Sequence, residues 1–244
     1  MAPYRIALLE CDTPIQAIKD AHGTYGDLLK EVLEEGLNGV SSSVEPVYTS
    51  YDVVGAREYP KLGDVDCILM TGSQHDAFAD IDWVNQLAEF IEKVYKTSDL
   101  PVVGVCFGHQ IVARALGAAT AGNPLGWEVA MSRINLTETG RDIFGTNHLM
   151  LQQMHRDMVM TLPESVQNIG SSSLCEIQGL YHPKRIFTMQ AHPEFNTVTM
   201  HQIIDSIGGR LFDEEGCKAA HAQAEAQHDG VVVASAIWKF LLER

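Results

Sequence analysis

The chain has 244 residues, 45% hydrophobic and 20% charged, with 17 Lys+Arg against 32 Asp+Glu. These proportions exclude a disordered, collagenous or coiled-coil protein, and a net charge of −15 opposes nucleic acid and acidic membrane, which need clustered cations. No apolar run approaches the ~18 residues of a membrane span, so neither partner is expected. Residues 4–10 are a first apolar strand candidate. Residues 25–37 place Tyr25, Leu28, Leu29, Val32, Leu33 and Leu37 on one helical stripe. Residues 44–48 read as a second strand, with Pro46 suggesting a sheet edge. Residues 65–70 are a third, ended by Thr71-Gly72-Ser73. Trp83, Leu87, Phe90, Ile91 and Val94 mark the next helix, with Asp82 as its N-cap. Residues 101–105 are wholly apolar, as in a central parallel strand covered on both faces, and residues 108–116 then read as helix.

Such alternation predicts an α/β protein built from right-handed βαβ units on a parallel sheet. Residues 127–190 are richer in strand and turn signals, and 185–190 is the last clear strand. Helices are expected over 197–207, 215–227 and 231–242. No repeat, low-complexity tract or linker interrupts this order, so residues 1–244 are expected to form a single domain. Cys11, Cys67, Cys106, Cys175 and Cys217 are odd in number and scattered, without CxxC or Cys/His ligand spacing. Neither a disulfide framework nor a metal site is expected. The opening residues 1–5 lack the pattern of a secretory signal, and a reducing, cytoplasmic setting is the expectation.

The stretch that carries chemistry is Gly104-Val105-Cys106-Phe107-Gly108-His109-Gln110. A buried strand runs straight into a helix, with a nucleophile at the junction and glycines two positions either side. It is the cysteine counterpart of the G-x-S-x-G nucleophile elbow. A turn this tight strains the junction residue, and side chains at the flanking positions would collide with strand and helix. Cys106 then projects from the carboxyl edge of the sheet, where open α/β folds place their sites. The helix N-terminus favours thiolate over thiol, and the Phe107 amide is free for an oxyanion. The base is expected in Gln190-Ala191-His192-Pro193-Glu194-Phe195, which follows the last strand on the same sheet edge. His192 faces Cys106 with one ring nitrogen, and Glu194 orients the other. A second oxyanion amide is expected from Gly72, at the end of a neighbouring strand.

These motifs resemble the class I (triad) glutamine amidotransferase family over most of the chain. Residues 71–78, then Asp82-Trp83, then residues 106–114 are especially similar to its stand-alone γ-glutamyl peptidase branch, and Met154-His155-Arg156-Asp157 also resembles that pattern. The resemblance implies a three-layer fold, with a mostly parallel central sheet, helices on both faces and a flavodoxin-like core. It implies Cys106 as nucleophile, His192 as general base and acid, Glu194 as orienter, and Gly72 and Phe107 as oxyanion donors. It implies Gln110, Ser73 and His155 around the glutamyl part of a small-molecule γ-glutamyl substrate. No metal or organic cofactor is indicated by the sequence. The implied activity is a cysteine hydrolase that cleaves the γ-glutamyl amide of glutamine or of γ-glutamyl peptides such as glutathione or its conjugates. Thr71-Gly72-Ser73 stands where many biosynthetic members have paired glycines, which leans towards the peptidase-like branch.

Two other readings stay open. One is a glutaminase subunit that delivers ammonia to a synthetase partner; the chain holds no G-x-x-x-x-G-K-[ST] loop, so a partner would supply ATP chemistry. The other is a non-catalytic scaffold of the same fold. Cys11, Cys67, Cys175 and Cys217 read as small core residues, His109 as a packing residue, and the segment 30–35 as a solvated helix face. His75 and Asp76 suit either a turn or the pocket. His221 and His228 are expected to be exposed.

Overall fold

A computed structural model describes residues 3–41 and 43–243. In chain order the elements are β1 (Tyr4–Glu10), α1 (Gln16–His22), α2 (Tyr25–Asn38), β2 (Pro46–Asp52), β3 (Cys67–Met70), α3 (Asp82–Thr97), β4 (Val102–Val105) and α4 (Phe107–Ala115). There follow β5 (Thr120–Gly122), β6 (Glu128–Leu136), α5 (Glu138–Phe144), β7 (His148–His155), β8 (Asp157–Val159), β9 (Gln167–Asn168) and β10 (Gly170–Ser171). The chain ends in β11 (Gly179–His182), β12 (Ile186–Met189), α6 (Thr197–Leu211), α7 (Glu214–Ala224) and α8 (Gly230–Leu242).

The main sheet runs in the order β2-β1-β3-β4-β12-β11-β9. From β2 to β12 the strands are parallel; β11 and β9 add antiparallel pairs at one edge. Successive side chains of a strand face opposite sides, and the core divides accordingly. Ile6 and Leu8 of β1 join Leu29 and Leu33 of α2 and Ile237 and Trp238 of α8. Ala7 and Leu9 join Val84 and Leu87 of α3 and Ile111 and Val112 of α4 on the other face. The fold is therefore a three-layer α/β sandwich with a mostly parallel sheet. Apolar burial on both faces is its main stabiliser, worth about 1.5–3 kcal/mol per large side chain. Trp238 also donates its indole N–H to the Leu33 carbonyl at 2.7 Å, joining α8 to α2.

A smaller antiparallel sheet, β10-β6-β7, branches off between α4 and β12. It is tied to the main body where the His192 N–H donates to the Gln152 carbonyl at 2.9 Å. A third cluster, with Ile18, Leu28, Ala130, Phe195, Met200 and Ile203, packs α1 and α6 over this junction. The site thus sits where the carboxyl ends of β1, β3, β4 and β12 meet the small sheet.

Several expectations need correction. Asp82 is the first residue of α3; Ile81 occupies the N-cap and no side chain caps there. The helices α1 and α5 lie outside the expected set. Each has seven residues and buries little of its own: α1 only Ile18, α5 only Gly140. So short a segment carries no readable 3.6-residue period. β2 extends to Asp52, beyond the expected 48, and is an edge strand as Pro46 suggested. His221 and His228 are half-buried; the His221 ring stacks on His201 with centroids 4.8 Å apart.

Candidate active site

The elbow begins with β4, buried along its whole length between β3 and β12. Cys106 follows at φ 51°, ψ −104°, and α4 starts at the next residue. A positive φ on a non-glycine residue costs on the order of 1–3 kcal/mol and persists only where the surroundings hold it. Here they do: the Cys106 N–H donates to Met189 O at 2.8 Å, and Cys106 O accepts from Gln110 N at 3.1 Å. The flanking glycines are dictated by close approach. A Cβ on Gly104 would lie 2.6 Å from both the carbonyl carbon and oxygen of Gly108. One on Gly108 would lie 2.9 Å from Met70 Cβ and 3.0 Å from Met70 O. Strand, helix and neighbouring strand are in backbone contact, and the Cys106 side chain can only project over the sheet edge.

His192 reaches that place from β12, which pairs in parallel with β4. Its Nδ1–H donates to Glu194 Oε1 at 2.8 Å. His192 and Glu194 are 4% and 5% exposed. Burial disfavours a charged ring, but the Glu194 carboxylate, the charge of Cys106 and a hydrogen bond between Cys106 and His192 outweigh it; the His192 pKa is pushed up to about 10. Phe195 lies flat on the ring, with centroids 4.0 Å apart and planes 2° from parallel.

Gly72 follows β3 and packs against the same imidazole. A Cβ there would come within 2.9 Å of His192 Cε1 and 3.6 Å of Cys106 Cβ. Among the described residues, no backbone or side-chain acceptor takes up the Gly72 or Phe107 amide; Phe107 is the first residue of α4, whose leading N–H groups have no partner within the helix. The Gly72 loop is pinned from β1. The Cys11 N–H donates to Thr71 Oγ1 at 2.9 Å, and Thr71 Oγ1–H donates to Gly72 O at 3.0 Å. Asp12 Oδ2 accepts from Gln74 N at 2.7 Å and from Ser73 Oγ at 3.3 Å.

These groups line one cavity of about 300 Å³. The lining mixes polar side chains, among them Asp12, Ser73, Gln110 and Arg156, with apolar ones, among them Ile15, Trp127 and Ile203. Gln110 is fixed through its Nε2, which donates to Asp157 O at 2.8 Å and Gln190 Oε1 at 3.0 Å. His155 reaches the wall but has both ring nitrogens engaged, Nδ1 with Asp157 O at 3.0 Å and Nε2 with Glu128 Oε2 at 3.1 Å. Burial, a hydrogen bond shared with Asp76 and the Asp76 charge push Asp157 up to about 7. His109 stands apart: it is fully buried, bonded to Thr188 Oγ1 at 2.8 Å, and burial pushes its pKa down to about 3. No group of three or more metal-ligating side chains occurs among the described residues.

All eight residues singled out from the sequence therefore converge. Cys106, His192, Gly72, Gln110, Ser73 and His155 line the cavity; Glu194 is bonded to His192, and Phe107 follows Cys106 at the start of α4. Sequence reasoning missed Asp12, Thr71 and the stacking of Phe195. Asp12 stands two residues past a strand on the edge where α/β sites form, a signal available from the sequence. The part played by Thr71 depends on a contact with Cys11, 60 positions away, and the Phe195 stack depends on how the loop after β12 folds over three residues.

The parallel sheet thus ends in a cysteine at a strand–helix junction beside a His–Glu pair. Residues 17–206 match the glutamine amidotransferase class-I family. A glutamine amidotransferase-like protein of Schizosaccharomyces pombe is 37% identical over 246 residues, covering 98% of this chain and 99% of its own. Gamma-glutamyl peptidase 3 of Arabidopsis thaliana is 30% identical over 242 residues, covering 94% and 92%. A glutamine amidotransferase structure from Thermotoga maritima superposes with a TM-score of 0.75 at 18% identity, covering 100% of both chains, which concerns the fold alone. The chain belongs to the class I glutamine amidotransferase family. Among the described residues, no helix is long and apolar enough to cross a membrane.

Proposed function

We propose that the protein is a self-sufficient γ-glutamyl hydrolase of the peptidase type, its residues forming one catalytic domain. The observation that carries this reading is the buried Cys106 at φ 51° beside a His192–Glu194 pair 2.8 Å apart. Cys106 thiolate attacks the γ-carbonyl, and the carbonyl electron pair moves to oxygen, held by the Gly72 and Phe107 amides. One such donor is worth about 3 kcal/mol of barrier. As the C–N bond breaks, His192 gives its proton to the departing amine. Water then attacks the thioester, His192 takes its proton, and the glutamyl acid leaves with the sulfur restored as thiolate.

Two features favour a peptidase over an ammonia-delivering subunit. The oxyanion loop is already pinned by Thr71 and Asp12, so it needs no partner to order it. The apolar residues in the cavity lining suit a leaving group larger than ammonia. Purified protein assayed alone against glutamine, glutathione and a glutathione S-conjugate is expected to turn over the two peptides. Hydrolysis of glutamine alone, or only on adding a synthetase, would favour the subunit reading.

Two substitutions test the assigned roles. Gly72→Ala places a methyl group 2.9 Å from His192 Cε1, and a displacement near 1 Å costs roughly 10²-fold in rate; kcat/KM should fall by that order in a protein that its melting curve shows to be folded. Unaltered kinetics would remove Gly72 from the site. Glu194→Gln keeps the shape but removes the charge that lifts the His192 pKa. By analogy with orienting carboxylates, its kcat should fall roughly 10³–10⁴-fold, less than loss of the nucleophile; an effect below tenfold would show that Glu194 does not act through the ring.

A further inference from the structure

We infer that Phe195 is a positioning residue: its ring clamps the His192 imidazole face to face and favours the charged form of that imidazole. This rests on His192 being the base and acid proposed above. The rings are 4.0 Å apart and 2° from parallel, and Phe195 is 2% exposed. A cation is attracted to an aromatic face within ~6 Å of its centroid. Stacked at 4.0 Å, the imidazole lies inside that range, so its charged form gains from the Phe195 ring.

The other directions around His192 are occupied. Nδ1 meets Glu194 at 2.8 Å, Cys106 bears on the ring's charge from the elbow, and the Gly72 backbone abuts Cε1. Phe195 adds the constraint these lack, a flat wall that stops the ring from tipping. Phe195 is itself held, packed with Ile18, Leu28 and Ile203 and with Tyr25, whose ring centroid is 6.2 Å away. The titratable groups that face this corner are Glu194 on the same loop, Cys106 on the elbow, Tyr25 on α2, Asp12 after β1 and His155 on β7. A substitution at position 195 replaces none of these groups, and of them Tyr25 packs against its ring.

The test follows the His192 ring by NMR through a pH titration of wild type, Phe195→Leu, Phe195→Met and Phe195→Tyr, with thermal unfolding as the control for folding. Leucine and methionine fill space without an aromatic face. Each is expected to lower the His192 midpoint by about one pH unit and to shift the basic limb of the kcat/KM profile down with it. Tyrosine should keep both within a few tenths of a unit. Met covers the case in which Leu does not fold. A lower melting temperature with an unmoved midpoint in a folded Leu or Met variant would overturn the inference. A midpoint that moves as stated in a protein that hydrolyses no γ-glutamyl compound would leave Phe195 in place and reject the reaction instead.

Discussion

Cys106→Ala protein is expected to hydrolyse γ-glutamyl amides at least about 10⁴-fold more slowly than wild type, because loss of a hydrolase nucleophile removes the covalent route and leaves only binding and oxyanion stabilisation. The fold should survive. The side chain is small, and the strained φ of 51° is set by backbone bonds to Met189 and Gln110 that alanine keeps. The measurement is initial rate by product mass spectrometry beside a melting curve. Residual activity within tenfold of wild type would assign the chemistry elsewhere.

Gly104→Ala carries the largest expected structural effect. The new methyl group would lie 2.6 Å from Gly108 C and O and 3.0 Å from His109 N. All three are backbone atoms between a central strand and the helix packed on it, so neither side can yield cheaply. Overpacking of this kind costs roughly 1–3 kcal/mol or more, which for a chain of this size is a fall in melting temperature of roughly 2–4 °C per kcal/mol. Because relief requires α4 to slide away from β4, Cys106 and the Phe107 amide should shift together, and activity should fall by roughly 10² or more. Gly63→Ala is the matched control, since a Cβ there meets nothing within 4 Å. Equal stability of the two variants would contradict the close packing at the elbow.

The elbow was legible in the sequence because its physics is local. A short apolar strand, a cysteine and glycines at 104 and 108 specify a strand–turn–helix without help from distant residues. His192 was legible for a related reason: it follows a strand whose parallel pairing with β4 places both ends on one edge. The long amphipathic helices α2 and α3 could be read from their stripes. The antiparallel strands β9 and β11 could not, being two and four residues long and stabilised by pairing that no period records. The same holds within the site. The pinning of Gly72 by Asp12 and Thr71 joins segments about 60 residues apart. The lining residues Ile203 and Ile207 belong to a helix whose outward appearance in sequence is ordinary. His155 shows the limit of reading a residue by type: the motif was visible, but the carboxylate of Glu128, 27 positions away, occupies its Nε2.

The most direct measurement is covalent labelling with a glutamine-like diazo-ketone, read by intact mass and peptide mapping. One adduct per chain on the peptide that contains Cys106, abolished in Cys106→Ala and slowed in Glu194→Gln, is the predicted result. No adduct under conditions that label a known glutaminase, or an adduct on Cys11, Cys67, Cys175 or Cys217 instead, would contradict a nucleophilic sulfur at the elbow and leave the non-catalytic scaffold as the better description.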